Sequence, residues 1–288
     1  SQVGTYGIPE FNTRFVRQML EVTRPKTFSE LVRISGLSHG TNVWLNNAQD
    51  LIKNGIAGLN EVIATRDDIM IYLIQKGLDK KEAFKIMEKV RKGKGLSREE
   101  MDYMKANNVP QWYIDSCNRI EYMFPKAHAV AYVMMAYRIA YYKVHYPLAF
   151  YASYFTVRAQ DFDEVITAGA EAICRRLDEI EGMGPQASTK DKNLIPVLEV
   201  ALEMWVRGFR FFPVDLYRSQ ASRFEIVPGG LLIPFSALPG VGLAAANNLV
   251  EGRNGGAFTS LEDLQRRGRV NKAVIDILDR NGCLKDLP

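Results

Sequence analysis

Two basic side chains stand at the start of a long apolar and aromatic stretch, in the string FPKAH at residues 124–128. Proline suits the first turn of a helix, where the missing N–H costs little, so the pattern predicts a helix over about Pro125–Tyr146. The unpaired N–H groups of such a helix start, next to Lys126 and His128, favour an anion, above all a phosphate. The alternative for His128 is a core histidine bonded to a backbone carbonyl.

The stretch Tyr122–Pro147 carries apolar or aromatic residues on every side of a helical wheel, which predicts a helix buried all round. Membrane insertion is the first alternative. Arg138 and Lys143 interrupt the segment, and the longest run without a charged side chain, Ala129–Tyr137, is far shorter than the roughly 20 residues that a span needs. We therefore expect a core helix of a soluble protein and no membrane partner.

A second cationic group follows a predicted helix pair that is broken at residues 76–78. Six basic residues accompany one acid, Glu88, between Lys85 and Arg98. The string RKGKG at 91–95 places three charges around glycines at a helix end, which suits mobile cations closing over a polyphosphate or a nucleic-acid backbone. A solvated helix face is the alternative for any one of these lysines.

The string SGLSHGTN, Ser35–Asn42, is predicted as a loop dense in small hydrogen-bonding groups. It follows a short helix that Thr27 caps, with Glu30 completing a capping box. One interpretation is a turn whose last residues cap the next helix, Trp44–Ile52. The other is the wall of a nucleobase or sugar pocket, because glycines permit close backbone approach.

The sequence LPGVG at residues 238–242 has the arrangement of a helix-hairpin-helix, between a short turn and the predicted helix Leu243–Glu251. Two glycines let the hairpin lie flat against a phosphate, and the following helix points its N–H groups there. A second predicted helix follows Phe258, and basic residues come after it. The predicted DNA contacts are Pro239, Gly240, Val241, Gly242, Arg266, Arg267, Arg269 and Lys272.

Length and composition predict a mainly α protein of two domains. The chain has 288 residues, is 47% hydrophobic and carries a net charge of +4, which alone does not diagnose nucleic-acid binding. The strand patterns are confined to Gly208–Ile226 and Leu231–Pro234. We expect a helical domain over residues 1–230 with a small β element, and a helix-hairpin-helix module over 231–288.

Residue types that commonly ligate metals are few or unfavourably spaced in this sequence. Three scattered cysteines and three histidines offer no zinc spacing, and free cysteines fit a reducing cytoplasm. The D-x-D at Asp161 and Asp163 places its carboxylates on opposite faces of a helix, which disfavours a two-metal site. The sequence SQVGTYGIPEF also lacks the features of a signal peptide, and without an initiator Met we expect a fragment.

Long ordered strings in the chain resemble one family. They are FPKAHAVAYV and AYRIAYYKVHYPLAFYASYF around the predicted long helix, and VGTYGIPEF, SELVRISGLSHGTNVW, RDDIMIYLIQKGL and VDLYRSQAS elsewhere. These strings resemble the bacterial replicative DNA polymerase III alpha subunit of family C, in its PolC type from low-GC Gram-positive bacteria. The resemblance covers essentially all 288 residues and implies the fingers and duplex-binding portion of that enzyme.

The resemblance implies roles for several residues. The triphosphate of an incoming dNTP would be bound by Lys126, His128, Arg66, Lys85, Arg91, Lys92 and Lys94. Its base, or a guanine-mimicking inhibitor, would lie against Ser35, Ser38, His39, Phe124 and Tyr132.

The resemblance also implies Mg²⁺-dependent nucleotidyl transfer in the cytoplasm, with catalytic aspartates on a palm that this stretch does not contain. The stretch alone would then be inactive. Its partners would be primer-template DNA and dNTP, with the sliding clamp and other replisome proteins binding through other regions. The alternative is a stand-alone helix-hairpin-helix DNA-binding or scaffold module, which would have no nucleotide pocket.

Overall fold

The chain forms two compact units, residues 1–140 and 141–288. The structure is a computed structural model and describes residues 2–285 and 287. Within these residues there are 14 α-helices and one three-stranded sheet. The predicted mainly α fold with a small β element is therefore confirmed.

The first unit is entirely helical apart from its connections. Its helices are α1 (Arg14–Thr23), α2 (Phe28–His39), α3 (Gln49–Lys53), α4 (Arg66–Gln75), α5 (Lys80–Arg91), α6 (Arg98–Ala106), α7 (Gln111–Arg119) and the start of α8 (Lys126–His145). The Thr27–Glu30 capping box is present, as predicted. The predicted break near Gly77 separates α4 from α5.

The predicted loop at Ser35–Asn42 is wrong for its first five residues, because α2 continues to His39 and only residues 40–42 lie outside a helix. Gly36 lies inside the helix, where an added Cβ would come within 2.6 Å of the Ala64 carbonyl oxygen. This glycine therefore permits close packing of a helix against a neighbouring backbone. Ser35, Ser38 and His39 consequently occupy the last turns of a helix.

The next predicted helix, Trp44–Ile52, is also interrupted. A π-helical segment covers Trp44–Ala48, and Leu45 (ψ 139°) and Asn46 (φ 57°) leave helical geometry inside it. Arg119 donates to the exposed carbonyl of Asn46 at 3.0 Å. Only the part from Gln49 onward is a regular helix, α3.

Helix α8 has the predicted bounds to within a residue, but the expectation that it is buried all round is wrong. Ala129, Val133, Ala136 and Lys143 form its buried stripe. Large apolar side chains on its other faces are between 42% and 66% exposed, namely Tyr132, Met134, Met135, Tyr137, Tyr141, Tyr142 and Val144. A helical wheel reports which faces are apolar and not which faces find neighbours.

No helix in the described part of the chain is both long and apolar enough to cross a membrane. Successive residues in the buried stripe of α8 are four, three and seven positions apart, as expected for one helix face.

The second unit combines helices with the sheet. Its elements after α8 are α9 (Pro147–Val157), α10 (Ala170–Met183), α11 (Thr189–Val206), β1 (Arg210–Phe212), β2 (Glu225–Val227), β3 (Gly230–Leu232), α12 (Leu243–Arg253), α13 (Leu261–Arg267) and α14 (Lys272–Arg280). Strand β3 is central, parallel to β1 and antiparallel to β2. The predicted domain boundary between residues 230 and 231 thus falls inside β3.

An aromatic core joins α9 to the sheet. The Phe155 ring is fully buried, with its centroid 5.0 Å from that of Phe211 and 5.8 Å from that of Phe224. The Phe162 ring completes the cluster at 5.4 Å from Phe211. Edge-on and tilted contacts of this kind are the preferred geometries of aromatic rings.

A buried ion pair fixes the C-terminal end of α8 in this unit. Lys143 Nζ lies 2.9 Å from Glu203 Oε2, and Tyr151 donates to the other carboxylate oxygen at 2.5 Å. Arg207 donates to the Tyr151 hydroxyl and to the Lys143 carbonyl, both at 3.1 Å. Burial lowers the pKa of Lys143, and the bond to Glu203 opposes that shift.

Candidate functional site

Four aromatic side chains form a continuous series in the first unit, which we call the ring row: His39, Phe124, His128 and Tyr132. Ring centroids are 5.4 Å apart for His39 and Phe124, 5.0 Å for Phe124 and His128, and 4.4 Å for His128 and Tyr132. All four were singled out from the sequence. An aromatic face of this kind suits the π-face of a nucleobase.

Backbone hydrogen bonds bring the elements of the ring row together. Thr41, just after α2, forms an antiparallel bridge with Tyr122: the Thr41 N–H donates to the Tyr122 carbonyl at 3.0 Å, and the Glu121 N–H donates to the Thr41 carbonyl at 3.1 Å. The Arg66 N–H donates to the Phe124 carbonyl at 3.2 Å. The end of α2, the start of α4 and the start of α8 therefore meet at residues 121–126.

The start of α8 already holds an internal anion. The Lys126 backbone N–H donates to Asp67 Oδ2 at 2.6 Å, and Lys126 Nζ lies 3.6 Å from Asp68 Oδ1. Arg66 Nε is 4.0 Å from the same Asp67 oxygen. The side chain of Lys126 remains 41% exposed. The predicted anion site is therefore occupied by carboxylates of α4, which no pattern in the sequence indicated.

The basic loop after α5 packs directly against this region. An added Cβ at Gly93 would lie 2.6 Å from the Glu121 carbonyl oxygen, and φ of Gly93 is +67°, so this position requires glycine. The RKGKG string thus borders the segment that leads into α8. Lys94 in this loop is exposed.

Several cations of this group have local carboxylate partners. Arg91 forms two hydrogen bonds to Glu88, at 2.6 and 2.9 Å, and Lys92 Nζ lies 3.0 Å from the same group. The bonds from Arg91 and Lys92 lower the pKa of Glu88 to about 2. Lys85 pairs with Glu82 at 2.7 Å, two helical turns before the loop.

The two serines lie behind the ring row. Ser35 is fully buried and donates to Glu10 Oε2 at 3.2 Å, while Ser38 donates to the Ser35 carbonyl at 2.9 Å. His39 also binds Glu10 Oε2 through Nε2. Ser35 therefore supports the row indirectly, through Glu10 and His39, whereas Ser38 bonds to the backbone of its own helix. No pattern in the sequence indicated Glu10.

The hairpin at residues 238–242 lies in the second unit. Leu238 and Val241 are buried and anchor it, whereas Pro239, Gly240 and Gly242 are exposed. Gly240 has φ +91°, and an added Cβ would meet Ile277 Cδ1 at 2.7 Å. Gly242 is the N-cap of α12 with φ −68°, and nothing lies within 4 Å of its Cβ position.

The predicted cations near the hairpin differ in their surroundings. Arg267 is engaged, because it donates to Asp263 and to the carbonyls of Gly252, Gly256 and Ala257 at 2.6 to 3.1 Å. Its guanidinium also lies over the Phe258 ring. Arg266 is 79% exposed although 2.9 Å from Asp263. Arg269 and Lys272 are exposed.

Asp263 organises the start of α13. It accepts from the Thr259 N–H at 3.1 Å and from both arginines, Arg266 at 2.9 Å and Arg267 at 2.8 Å. The Thr259 bond, followed by that from Arg267, lowers the pKa of Asp263 to about 2.

A groove of about 1280 Å³ runs along the hairpin within the second unit. Its walls include Gln160, Lys190 and Asn193, besides the hairpin residues themselves. The hairpin is thus open to a ligand on its exposed side.

The described residues contain no group of three or more His, Cys, Asp or Glu side chains placed to hold a metal ion. Asp67 and Asp68 are a pair, and their oxygens face Lys126, Arg66 and Arg33. This donor set does not suit a divalent cation, because cationic side chains surround it.

Two family models match parts of this chain. Residues 1–111 match the family described as the bacterial DNA polymerase III alpha subunit finger domain, and residues 208–288 match the helix-hairpin-helix motif. The chain is 63% identical over 287 residues to "DNA polymerase III PolC-type" of Caldanaerobacter subterraneus subsp. tengcongensis. It is 61% identical over 288 residues to the proteins of that name from Bacillus subtilis and Bacillus cereus.

These alignments cover 99 to 100% of this chain and 20% of each relative. The matched regions include the ring row, the start of α8 and the hairpin. The chain belongs to the PolC-type DNA polymerase III family and spans 20% of the length of the relatives that it matches.

Proposed function

We propose that this chain is the fingers and duplex-binding portion of a replicative DNA polymerase. It binds an incoming dNTP at the start of α8 and duplex DNA at the hairpin of residues 238–242. The complete enzyme extends a primer by attack of the primer 3′ oxygen on the α-phosphate of the dNTP.

The observation that supports the nucleotide site is the combination of the ring row with the cations at the start of α8. His128 is two residues from Lys126 and lies within the ring row. One helical turn therefore offers an aromatic ring to a base and a cation to a phosphate group. A stand-alone DNA-binding module has no use for either feature. This combination favours the polymerase over that alternative.

Within this proposal the triphosphate competes with carboxylates. Asp67 and Asp68 contact Lys126, so phosphate oxygens would take the place of one or both. Lys94 is exposed in the loop that packs on Glu121 and is accessible to a triphosphate there. Lys85, Arg91 and Lys92 would each give up or share a glutamate.

The proposed duplex site uses backbone N–H groups of the hairpin and the start of α12, with Arg266, Arg269 and Lys272 nearby in the sequence. Such donors suit phosphate oxygens and do not distinguish bases. We therefore propose binding that is non-specific and strongly salt-dependent, with a slope of about −0.9 in log affinity against log salt for each phosphate neutralised. Residues 231–288 remain our proposed module for this task.

A DNA polymerase uses Mg²⁺ ions, and the described residues contain no cluster of three or more His, Cys, Asp or Glu side chains placed to hold a metal ion. We place their ligands on a palm elsewhere in the complete enzyme. The proposed roles of this chain are therefore to bind and orient the nucleotide and the duplex and to neutralise part of the charge of their phosphates. The sliding clamp and other replisome proteins would contact other regions.

The test is Lys126→Ala in the complete polymerase. Charge-assisted hydrogen bonds are each worth about 1.5–3 kcal/mol, so kcat/KM for dNTP should fall about tenfold or more. Lys80→Ala is a matched control, since Lys80 also begins a helix that an aspartate, Asp79, caps. An unchanged kcat/KM in the Lys126 variant would remove the start of α8 from the nucleotide site.

A further inference from the structure

Glu10 has a backbone conformation that its residue type disfavours. Phe11 N donates to the Ile8 carbonyl at 3.2 Å, which closes a four-residue turn with Pro9 in its second position. Glu10 occupies the third position with φ +71°. Glycine or asparagine is usual there, because a side chain in the left-handed region is strained. Strain of this kind persists where the surroundings determine the conformation, and it concentrates at functional sites.

The contacts of the carboxylate account for the conformation. Glu10 Oε2 accepts from the buried hydroxyl of Ser35 at 3.2 Å and from Nε2 of His39. The Glu10 side chain is only 12% exposed, whereas that of His39 is 36% exposed. A carboxylate in this place ties the N-terminal turn to the last two turns of α2.

Through His39 the carboxylate reaches the ring row. The His39 ring lies 5.4 Å from Phe124 and 6.5 Å from His128, at interplanar angles of 59° and 85°. A histidine ring can rotate about its side-chain bonds, and the bond to Glu10 fixes one orientation. The edge of the row is therefore set before a ligand arrives.

We propose that Glu10 is a positioning residue for the nucleotide site, holding His39 in the orientation in which the ring row accepts a nucleobase. This inference rests on the proposed function, because the ligand is the base of the incoming dNTP. It assigns a role to a residue that touches neither phosphate nor base. A preformed row binds more tightly than one whose rings must be ordered on binding.

The decisive variant is Glu10→Gly in the complete polymerase, because it separates folding from positioning. Glycine removes the backbone strain and the carboxylate together. We expect the thermal midpoint of the 288-residue chain to stay the same or rise, while KM for dNTP rises about five- to tenfold with a smaller change in kcat. A purely structural Glu10 would give a lower midpoint and an unchanged KM, which would overturn the proposal.

A matched control is Asn108→Gly. Asn108 is exposed, also lies in the first unit and also has a positive φ, of 57°. Asparagine tolerates a positive φ better than glutamate does, so this variant should gain less stability from relief of strain, and KM should not change. Glu10→Gln keeps an accepting oxygen and should restore most of the nucleotide affinity that Glu10→Gly loses. If Glu10→Gln is as impaired as Glu10→Gly, the charge rather than the orientation of His39 is what matters, and the positioning role is wrong.

A second measurement does not depend on activity. The chain contains three histidines, so imidazole ¹⁵N spectra are simple to assign. Glu10→Gly should move the His39 and His128 signals and leave that of His145 unchanged. Unmoved signals would show that Glu10 does not hold the row.

The two proposals fail differently. If Lys126→Ala raises KM and Glu10→Gly does not, the positioning role is wrong and the nucleotide site stands. If neither variant changes dNTP kinetics, the nucleotide site itself is wrong, and the histidine spectra then report only whether Glu10 orders the rings.

Discussion

Gly242 offers a substitution that separates the stability of the hairpin from its proposed contact with DNA. It is the N-cap of α12, with φ −68° and ψ 157°, and no atom lies within 4 Å of where its Cβ would be. Aspartate adopts this conformation readily and caps helices well. Gly242→Asp should therefore fit without strain. Gly240 is unsuitable for such a test, because Ile277 and a φ of +91° exclude a side chain there.

The expected changes have opposite signs. Replacing a glycine N-cap by aspartate gains a few tenths of a kcal/mol, and a negative charge at a helix N-terminus adds about 0.3–1 kcal/mol. The thermal midpoint should rise by about 1–3 °C. A carboxylate about 4 Å from a phosphate oxygen repels it by about 1 kcal/mol even at the dielectric constant of water. Duplex affinity should consequently fall at least about fivefold.

The assay is fluorescence anisotropy of a labelled duplex over a range of salt concentrations, alongside thermal unfolding. The salt slope should become shallower by about 0.9 if one phosphate contact is lost. Gly242→Ser is the control, because serine caps the helix without a charge and should weaken binding less. A stabilised Gly242→Asp variant whose duplex affinity equals that of the original at low salt would refute the hairpin contact.

Three further predictions concern other parts of the molecule. Phe124→Leu should weaken the binding of guanine-mimicking inhibitors more than it raises KM for dNTP, and Ser35→Ala should do the same through its support of the ring row. If inhibitor binding and dNTP use are weakened equally, the base pocket lies elsewhere. The pKa of Asp263 is lowered from 3.8 to about 2, so its stabilisation is complete above about pH 4 and disappears as pH falls towards 2. The thermal midpoints of the original chain and Asp263→Asn should differ at pH 6 and converge near pH 2, whereas a constant difference would contradict this cause. Lys143→Met leaves the Glu203 carboxylate, which is 15% exposed, with its Tyr151 hydrogen bond but without its cation. The substitution should lower the free energy of unfolding by about 3 kcal/mol in denaturant titration; a loss below about 1 kcal/mol would show that the pair contributes as little as a surface pair.

Local signals in the sequence were sufficient where a single segment determines its own structure. The capping box at Thr27, the break before α5 and the bounds of α8 each depend on residues within a few positions of one another. These features require no knowledge of what packs against them.

Errors arose where a distant partner decides the outcome. Gly36 indicates a turn in isolation, but it lies in a helix, and it is glycine there because the backbone at Ala64 passes close by. The apolar faces of α8 suggested complete burial, yet burial depends on neighbours that one helix does not specify. Arg267 looked like a free cation until its four acceptors were known. Glu10 gave no signal at all, because its importance comes from a turn and two partners in α2.

When no ligand is bound, the two proposed phosphate sites differ in what the N–H groups at the helix N-terminus contact. At α12 the N-cap is Gly242, which has no side chain to offer, so a DNA phosphate finds the N–H groups unobstructed. At α8 the Lys126 N–H already donates to Asp67, and a triphosphate must replace that bond with one of its own. Only the difference between the two bonds then contributes to nucleotide affinity. The hairpin is accordingly suited to holding any duplex continuously, and the start of α8 to binding a nucleotide that must also leave.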